Sequence, residues 1–357
     1  MAQQVVRSPK WLLLGHWALA LVVVGCGTDG SGAGGSALPS DCSLPGAGLP
    51  ANVFCTGLYL NSDASQISPD VMPYTPGVVL WSDGAEKRRF LYLPAGTQID
   101  TSNMDRWQFP IGTKAFKEFK VQGTLVETRA MIKRDATTWD VGTYVWSADG
   151  KSAALSTDTK GVILPSGYEI PAVKACDKCH HGGADKLLGV EAIALAHPRA
   201  QGLGLAELAR RGLLTNPPAI TTIAIPEDVT GKAADALAYL HMNCGVSCHS
   251  SRGLGNDTGL LMRLRADEIW PAAAGAAPAT VQQTDIFSKS LNSSPTTGAV
   301  AQHFPGAVRI SPGAHDQSLL WILAHRRDLY QMPPLVSHMI DDAGTTLLAE
   351  WIDAIPH

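Results

Sequence analysis

The stretch HMNCGVSCHSS, His241 to Ser251, places three residues between Cys244 and Cys248, with His249 directly after the second cysteine. Two cysteines separated by two residues and followed by histidine would read as a covalent haem site. The question is what one extra residue does. On an α-helix each residue turns about 100°, so i,i+3 side chains differ by about −60° and i,i+4 side chains by about +40°. Both spacings keep the two sulfurs on one face. The added rise of about 1.5 Å can be absorbed at Gly245 in a distorted turn. The Cys248–His249 junction is untouched. A Cys244–Cys248 disulfide is the competing reading, because i,i+4 Cα atoms lie within bonding range, and a metal clip is another.

A second pair, CDKCHHGG, carries Cys176, Cys179 and His180 at the regular spacing. The thiols can add to two porphyrin vinyl groups while His180 takes the iron axis. A zinc clip would need a second ligand pair at matching distance, and a redox CxxC does not call for the histidine. Downstream of the longer motif, Met332-Pro333-Pro334 offers a thioether on a proline-stiffened segment. Met332 is therefore the expected distal ligand opposite His249, with Met262 and Met339 in reserve. Met242, His181, His197 and His241 read as structural or solvent-facing.

Residues 1–26 read as a leader: Arg7 and Lys10 precede an apolar run from Trp11 to Val24, too short to cross a bilayer comfortably. Val23-Val24-Gly25-Cys26 resembles a bacterial lipobox, with Cys26 the lipidated residue; ordinary signal cleavage nearby is the alternative. Residues 27–41 form a Gly/Ser-rich tether with a mean reach of about 20 Å. The chain is thus expected to be exported and held by lipid on the periplasmic side. Gly27, rather than Asp, after the lipid-bearing residue fits outer-membrane sorting in a host with two membranes. Removing the leader removes Arg7 and Lys10 from 28 basic residues and leaves 32 acidic ones. That balance is no footprint for nucleic acid or anionic lipid. Of seven cysteines, Cys42 and Cys55 bracket a Pro/Gly-rich loop and are expected to form a disulfide.

The fold class predicted is α+β: an antiparallel β sandwich or barrel followed by a small, mainly helical domain. Residues 42–70 form the stapled N-terminal loop region. Residues 71–185 are the β domain, with GVVLWSDG, RRFLYLPAG, TLVETRAMIKRD and TTWDVGTYVWSADG as its strand-like runs. ETRAMIKR alternates as a half-buried strand would. Residues 186–229 connect, with a helix at Leu203–Leu214. Residues 230–357 hold helices capped by Thr230 and by Asp341 or Asp342, a further helix in DQSLLWILAHRR, and an irregular insertion at 271–300.

YLHMNCGVSCH, ISPGAHDQSLLWIL, MPPL and LLAEWIDAI together resemble class I cytochrome c domains over residues 230–357. That likeness implies His249 as proximal and Met332 as distal ligand; the CxxxCH spacing and the insertion depart from the pattern. LWSDGAEKRRFLYLP, FPIGTKAFKEF, ETRAMIKR, YVWSADG and CDKCH resemble exported bacterial proteins in which a β domain precedes cytochrome motifs. A β domain ending in CxxCH is more distantly similar to all-β cytochrome c-prime proteins, which implies an open distal face above His180. The expectation is a membrane-tethered dihaem c-type cytochrome transferring electrons between redox proteins, with two haem c groups. The alternatives are a haem enzyme, acting on peroxide or a small nitrogen compound at the open site, and a non-haem surface-binding lipoprotein.

Overall fold

The computed structural model describes residues 37–40, 42–181, 185–270 and 277–357; the expected leader, Cys26 and most of the tether lie outside them. Its framework is a meander: β1 (Met72–Thr75), β2 (Glu86–Tyr92), β3 (Lys114–Val121), β4 (Thr124–Lys133), β5 (Trp139–Trp146) and β6 (Ala153–Leu155). Each strand pairs antiparallel with the next. Gln122 and Gly123, both at positive φ, make the two-residue turn between β3 and β4. β7 (Val162–Ile163) and β8 (Glu169–Ile170) form a separate two-stranded ladder, and β9 (Gln201–Gly202) returns to the outer edge of β1. The seven-stranded sheet therefore runs β6-β5-β4-β3-β2-β1-β9 and is open.

The barrel reading is thus corrected. The short edge strands β6 and β9 do not pair with each other, and each face is covered by non-sheet chain instead. On one face Phe90, Phe116, Ala130, Tyr144 and Trp146 pack against Val53, Phe54, Leu58 and Tyr59. That covering segment is tied by a Cys42–Cys55 disulfide, and its Phe54 and Tyr59 rings meet Trp146 edge-on at 5.9 and 6.0 Å. On the other face Leu91, Ala115, Met131 and Trp139 join the core of the helical half, with Leu205, Leu208, Leu237, Leu240 and Trp351. With both faces covered, β4 is buried on both sides from Ala130 to Lys133, not half-buried.

The helices are short: α1 (Cys176–Cys179), α2 (Ala192–Ala196), α3 (Leu205–Arg210), α4 (Ala233–Leu240), α5 (Ala266–Ile269), α6 (Asp285–Ser288), α7 (Gly298–His303), α8 (Leu319–Ala324) and α9 (Asp342–Ala354). The protein is α+β. α4 is not capped by Thr230, whose hydroxyl accepts from the Lys232 N–H before the helix begins. The Glu227 carboxylate takes that place, accepting from Ala233 N–H at 2.9 Å. Asp341 caps α9 through the Gly344 N–H at 3.0 Å. α9 lies against α4, and a Cβ on Gly344 would sit 2.4 Å from the Tyr239 ring, so only glycine permits this approach. GVVLWSDG forms no strand: its Leu80 and Trp81 turn toward the helices. The 271–300 insertion, where described, contributes Val281, Ile286 and Phe287 to the core. Among the described residues no helix is long and apolar enough to cross a membrane.

Candidate functional site

α4 does not stop at Leu240 but widens into a π-helical turn over His241–Gly245. The Val246 N–H reaches back to the His241 carbonyl at 2.8 Å, and the His249 N–H to the Cys244 carbonyl at 2.8 Å. Each of these bonds spans five residues. A π-turn holds one residue more than an α-turn, so it accommodates the extra residue of CxxxCH without breaking the helix. Gly245 faces the next strand of chain so closely that a Cβ would lie 2.2 Å from the Met262 carbonyl oxygen. The loop after the motif then wraps it: Gly255 N–H bonds the Cys248 carbonyl at 3.0 Å and Met262 N–H the His249 carbonyl at 2.8 Å. A Cβ on Gly253 would fall 2.0 Å from the Cys248 oxygen, and one on Gly255 2.8 Å from His249 Nδ1.

Ahead of the motif, buried His241 is fixed on both ring nitrogens. Nδ1 accepts from Leu264 N–H at 3.0 Å, and Nε2 meets Glu191 Oε1 at 3.2 Å. Glu191 also caps α2 through Ile193 and Ala194 N–H. Burial alone would raise the Glu191 carboxyl; His241, Arg263 and the Ala194 amide outweigh it and hold the group down to about 2.

Cys244, Cys248 and His249 open onto a cleft of about 1230 Å³, including its mouth. Its walls are overwhelmingly apolar, built by Leu240, Leu260, Leu320, Leu323 and Leu348 among others, and Met332 lines it too. Met332 is 36 % exposed, positioned by its N–H on the Leu323 carbonyl at 2.7 Å. Met262 also lines the cleft; Met339 is not among its lining residues. Burial lowers the His249 pKa, and its Nδ1 lies 3.5 Å from the Thr258 hydroxyl. A neutral imidazole contacted at one nitrogen by a hydroxyl is the form that ligates metal through its other nitrogen.

Two cationic groups interrupt these walls. Arg309 donates only to the Lys289 and Thr258 carbonyls, at 2.8 and 2.5 Å. Arg327 donates to the Ala324, Arg326 and Met339 carbonyls, and its buried Nε has no partner. Neither forms an ion pair among the described residues. Neither residue was expected from the sequence. The available signal was a cation inside the otherwise apolar runs GAVRIS and LAHRR, but spacing does not say that both converge on one cleft.

The first motif occupies the single turn of α1, closed by His180 N–H on the Cys176 carbonyl at 3.0 Å. His180 Nδ1 lies 2.6 Å from the Lys186 carbonyl, and burial, with Lys117 nearby, pushes the imidazole down to about 4. Burial raises both thiols, partly offset by Arg129. The segment is anchored to the sheet by Asp185, which pairs with buried Lys133 at 2.6 Å and accepts from Trp139 Nε1 at 2.5 Å and Phe109 N–H at 2.8 Å. The two motifs adjoin: Ser247 Oγ donates to the Cys179 carbonyl at 3.0 Å and lies 3.4 Å from Cys248 Sγ.

Cys176, Cys179, Cys244 and Cys248 are unbridged thiols. Among the described residues no three His, Cys, Asp or Glu side chains converge as a metal cage. A haem iron needs no such cage, since the macrocycle supplies four ligands and the protein only axial ones. No family model, curated protein or solved structure matches the chain.

Proposed function

We propose that the protein is an exported, lipid-tethered dihaem c-type cytochrome that transfers electrons between redox partner proteins. The observation that carries this reading is one apolar cleft lined at once by Cys244, Cys248, His249 and Met332. The donor set fits the group: two thiols for thioethers, an imidazole and a thioether for the iron axis, apolar walls for the macrocycle, and cations for its two carboxylates. Arg327, with its orphaned Nε, and Arg309, satisfied only by carbonyls, suit that last role. When bound, haem supplies a one-electron Fe(III)/Fe(II) couple.

The chain's own residues do the rest. The π-turn keeps Cys244 and Cys248 together, the Thr258 hydroxyl lies against His249 Nδ1, and Leu240, Leu260 and Leu348 exclude water. With His249 and Met332 as the residues that would hold its iron, the bound haem would have a raised potential. At the first motif, Cys176, Cys179 and His180 repeat the arrangement, with the Lys186 carbonyl orienting the ring. Ser247 ties the two attachment sites into one unit. The residues 230–357 are read as the cytochrome c-like part, with Cys26 as lipid anchor. The Cys42–Cys55 disulfide supports export, because such bonds persist in oxidising compartments.

The test is expression of the full chain alongside c-type haem maturation machinery. A Soret band that survives denaturation, with an intact mass of two haems per chain, is expected. A protein free of covalent haem would overturn the proposal. Cys26→Ser should move the protein from the membrane to the soluble fraction.

A further inference from the structure

Strand register puts Arg89, Lys117 and Arg129 directly opposite one another on β2, β3 and β4, and Thr143 of β5 completes the row. Opposed residues share a face with Cβ atoms roughly 4.5–5.5 Å apart, and like charges so placed repel. Lys87, two residues before Arg89, points to the same face and donates to Ser82 Oγ at 3.1 Å and to the Leu80 carbonyl. Among the described residues the strands offer this face a single carboxylate, Glu127. It is already used: Arg129 holds it at 2.6 and 3.1 Å, and Tyr168 donates to it as well.

Arg89 is only 4 % exposed, yet its guanidinium makes no hydrogen bond or ion pair among the described residues. The Thr143 hydroxyl, 2 % exposed, also has no partner. A buried guanidinium without a counter-charge, beside the Arg129 guanidinium and a Lys117 amine whose pKa burial and these neighbours push well down, is unfavourable unless an anion completes it. The row flanks the first motif, because the chain carrying it is pinned to the same sheet face on either side, by Tyr168 on Glu127 and Arg129 and by Asp185 on Lys133 and Trp139.

We propose that Arg89, Lys117, Arg129 and Thr143 form a seat for a carboxylate or small oxyanion beside Cys176–His180. Guanidinium forks and an ammonium offer only donors, and the threonine hydroxyl can add another, which selects an acceptor-only ligand. That chemistry has two sources: a carboxylate arm of the haem carried by Cys176 and Cys179, or a free anion entering beside it. The first source rests on the haem reading; the second does not.

The experiment uses the full haem-matured protein with Arg89→Gln, Lys117→Gln and the charge-keeping Lys117→Arg. Inorganic phosphate affinity is measured by calorimetry, and the midpoint potential of the haem at the first motif by redox titration. Phosphate binding that weakens at least tenfold in both Gln variants, with Lys117→Arg retaining it, identifies a free-anion seat. No phosphate binding, but a first-haem potential that falls in both Gln variants while the second stays put, identifies the haem carboxylate. Equal phosphate binding in all variants, an adventitious ion only, or unchanged potentials in variants that carry both haems and bind no phosphate, overturns the seat. If intact mass shows no haem, the haem reading fails separately, and Arg89-dependent phosphate binding alone decides the seat.

Discussion

Gly245 has space for a hydrogen and nothing larger, because the Met262 carbonyl stands 2.2 Å from where a Cβ would be. Gly245→Ala should therefore force the π-turn away from residues 262–263, costing about 1–3 kcal/mol in unfolding free energy. It should also reduce haem at the second motif in intact-mass spectra; an unchanged midpoint and full occupancy would contradict the close approach. Glu191 carries a pH prediction. Its folded pKa lies below the unfolded value, so it contributes stability above about pH 4.5 that is lost as pH falls toward about 2. Glu191→Gln should flatten the pH dependence of the unfolding midpoint in that window, and an identical acid profile would count against it. At this scale the adjacency of Cys179 to His180 and of Cys248 to His249 was legible, since it is covalent. Arg89, Arg309 and Arg327 were not, since their roles depend on burial and on which side chains lie across from them.

The elements around the motifs are short, and polar clamps hold them in place. Lys133 on β4 and Asp185 below α1 are both nearly fully buried and joined at 2.6 Å. Breaking such a pair from one side leaves an uncompensated charge, so Asp185→Ala should destabilise the fold by about 3–5 kcal/mol. Denaturant unfolding of the purified protein checks this; a loss under 1 kcal/mol would show the clamp is not structural. Helix periodicity located α3, α4, α8 and α9 in the sequence, yet overran their ends, as Thr230 shows against Glu227. The π-turn could be anticipated only as a distortion at Gly245, because its i→i+5 bonds depend on the residues wrapping it. GVVLWSDG has strand-forming composition, but strand propensity follows the packing on offer. Here Leu80 and Trp81 gain burial in the cleft, and the Trp81 N–H bonds Asn243 of the π-turn at 2.6 Å.

Across the whole molecule, the sheet is a central layer with different chain on each face. The antiparallel character and the α+β class were readable from turn residues and from the change of periodicity after residue 170. The open sheet was not, because strand composition does not distinguish a closed edge from a covered face. Covering the outer face falls to the segment stapled by Cys42–Cys55, whose bonded positions are 13 apart in sequence. Cys42→Ser with Cys55→Ser should cost about 3 kcal/mol by loop entropy and expose the Trp146 cluster, visible as a lower thermal midpoint and altered tryptophan emission. The cytochrome proposed here stands on CxxxCH holding haem, with His249 and Met332 as the residues that would ligate its iron. Its most direct test is the haem-matured Cys176→Ala, Cys179→Ala double variant, in which the regular motif can hold nothing covalently. One covalent haem per chain is predicted, with a low-spin spectrum whose methionine–iron charge-transfer band disappears in Met332→Ala. A double variant without covalent haem would contradict it.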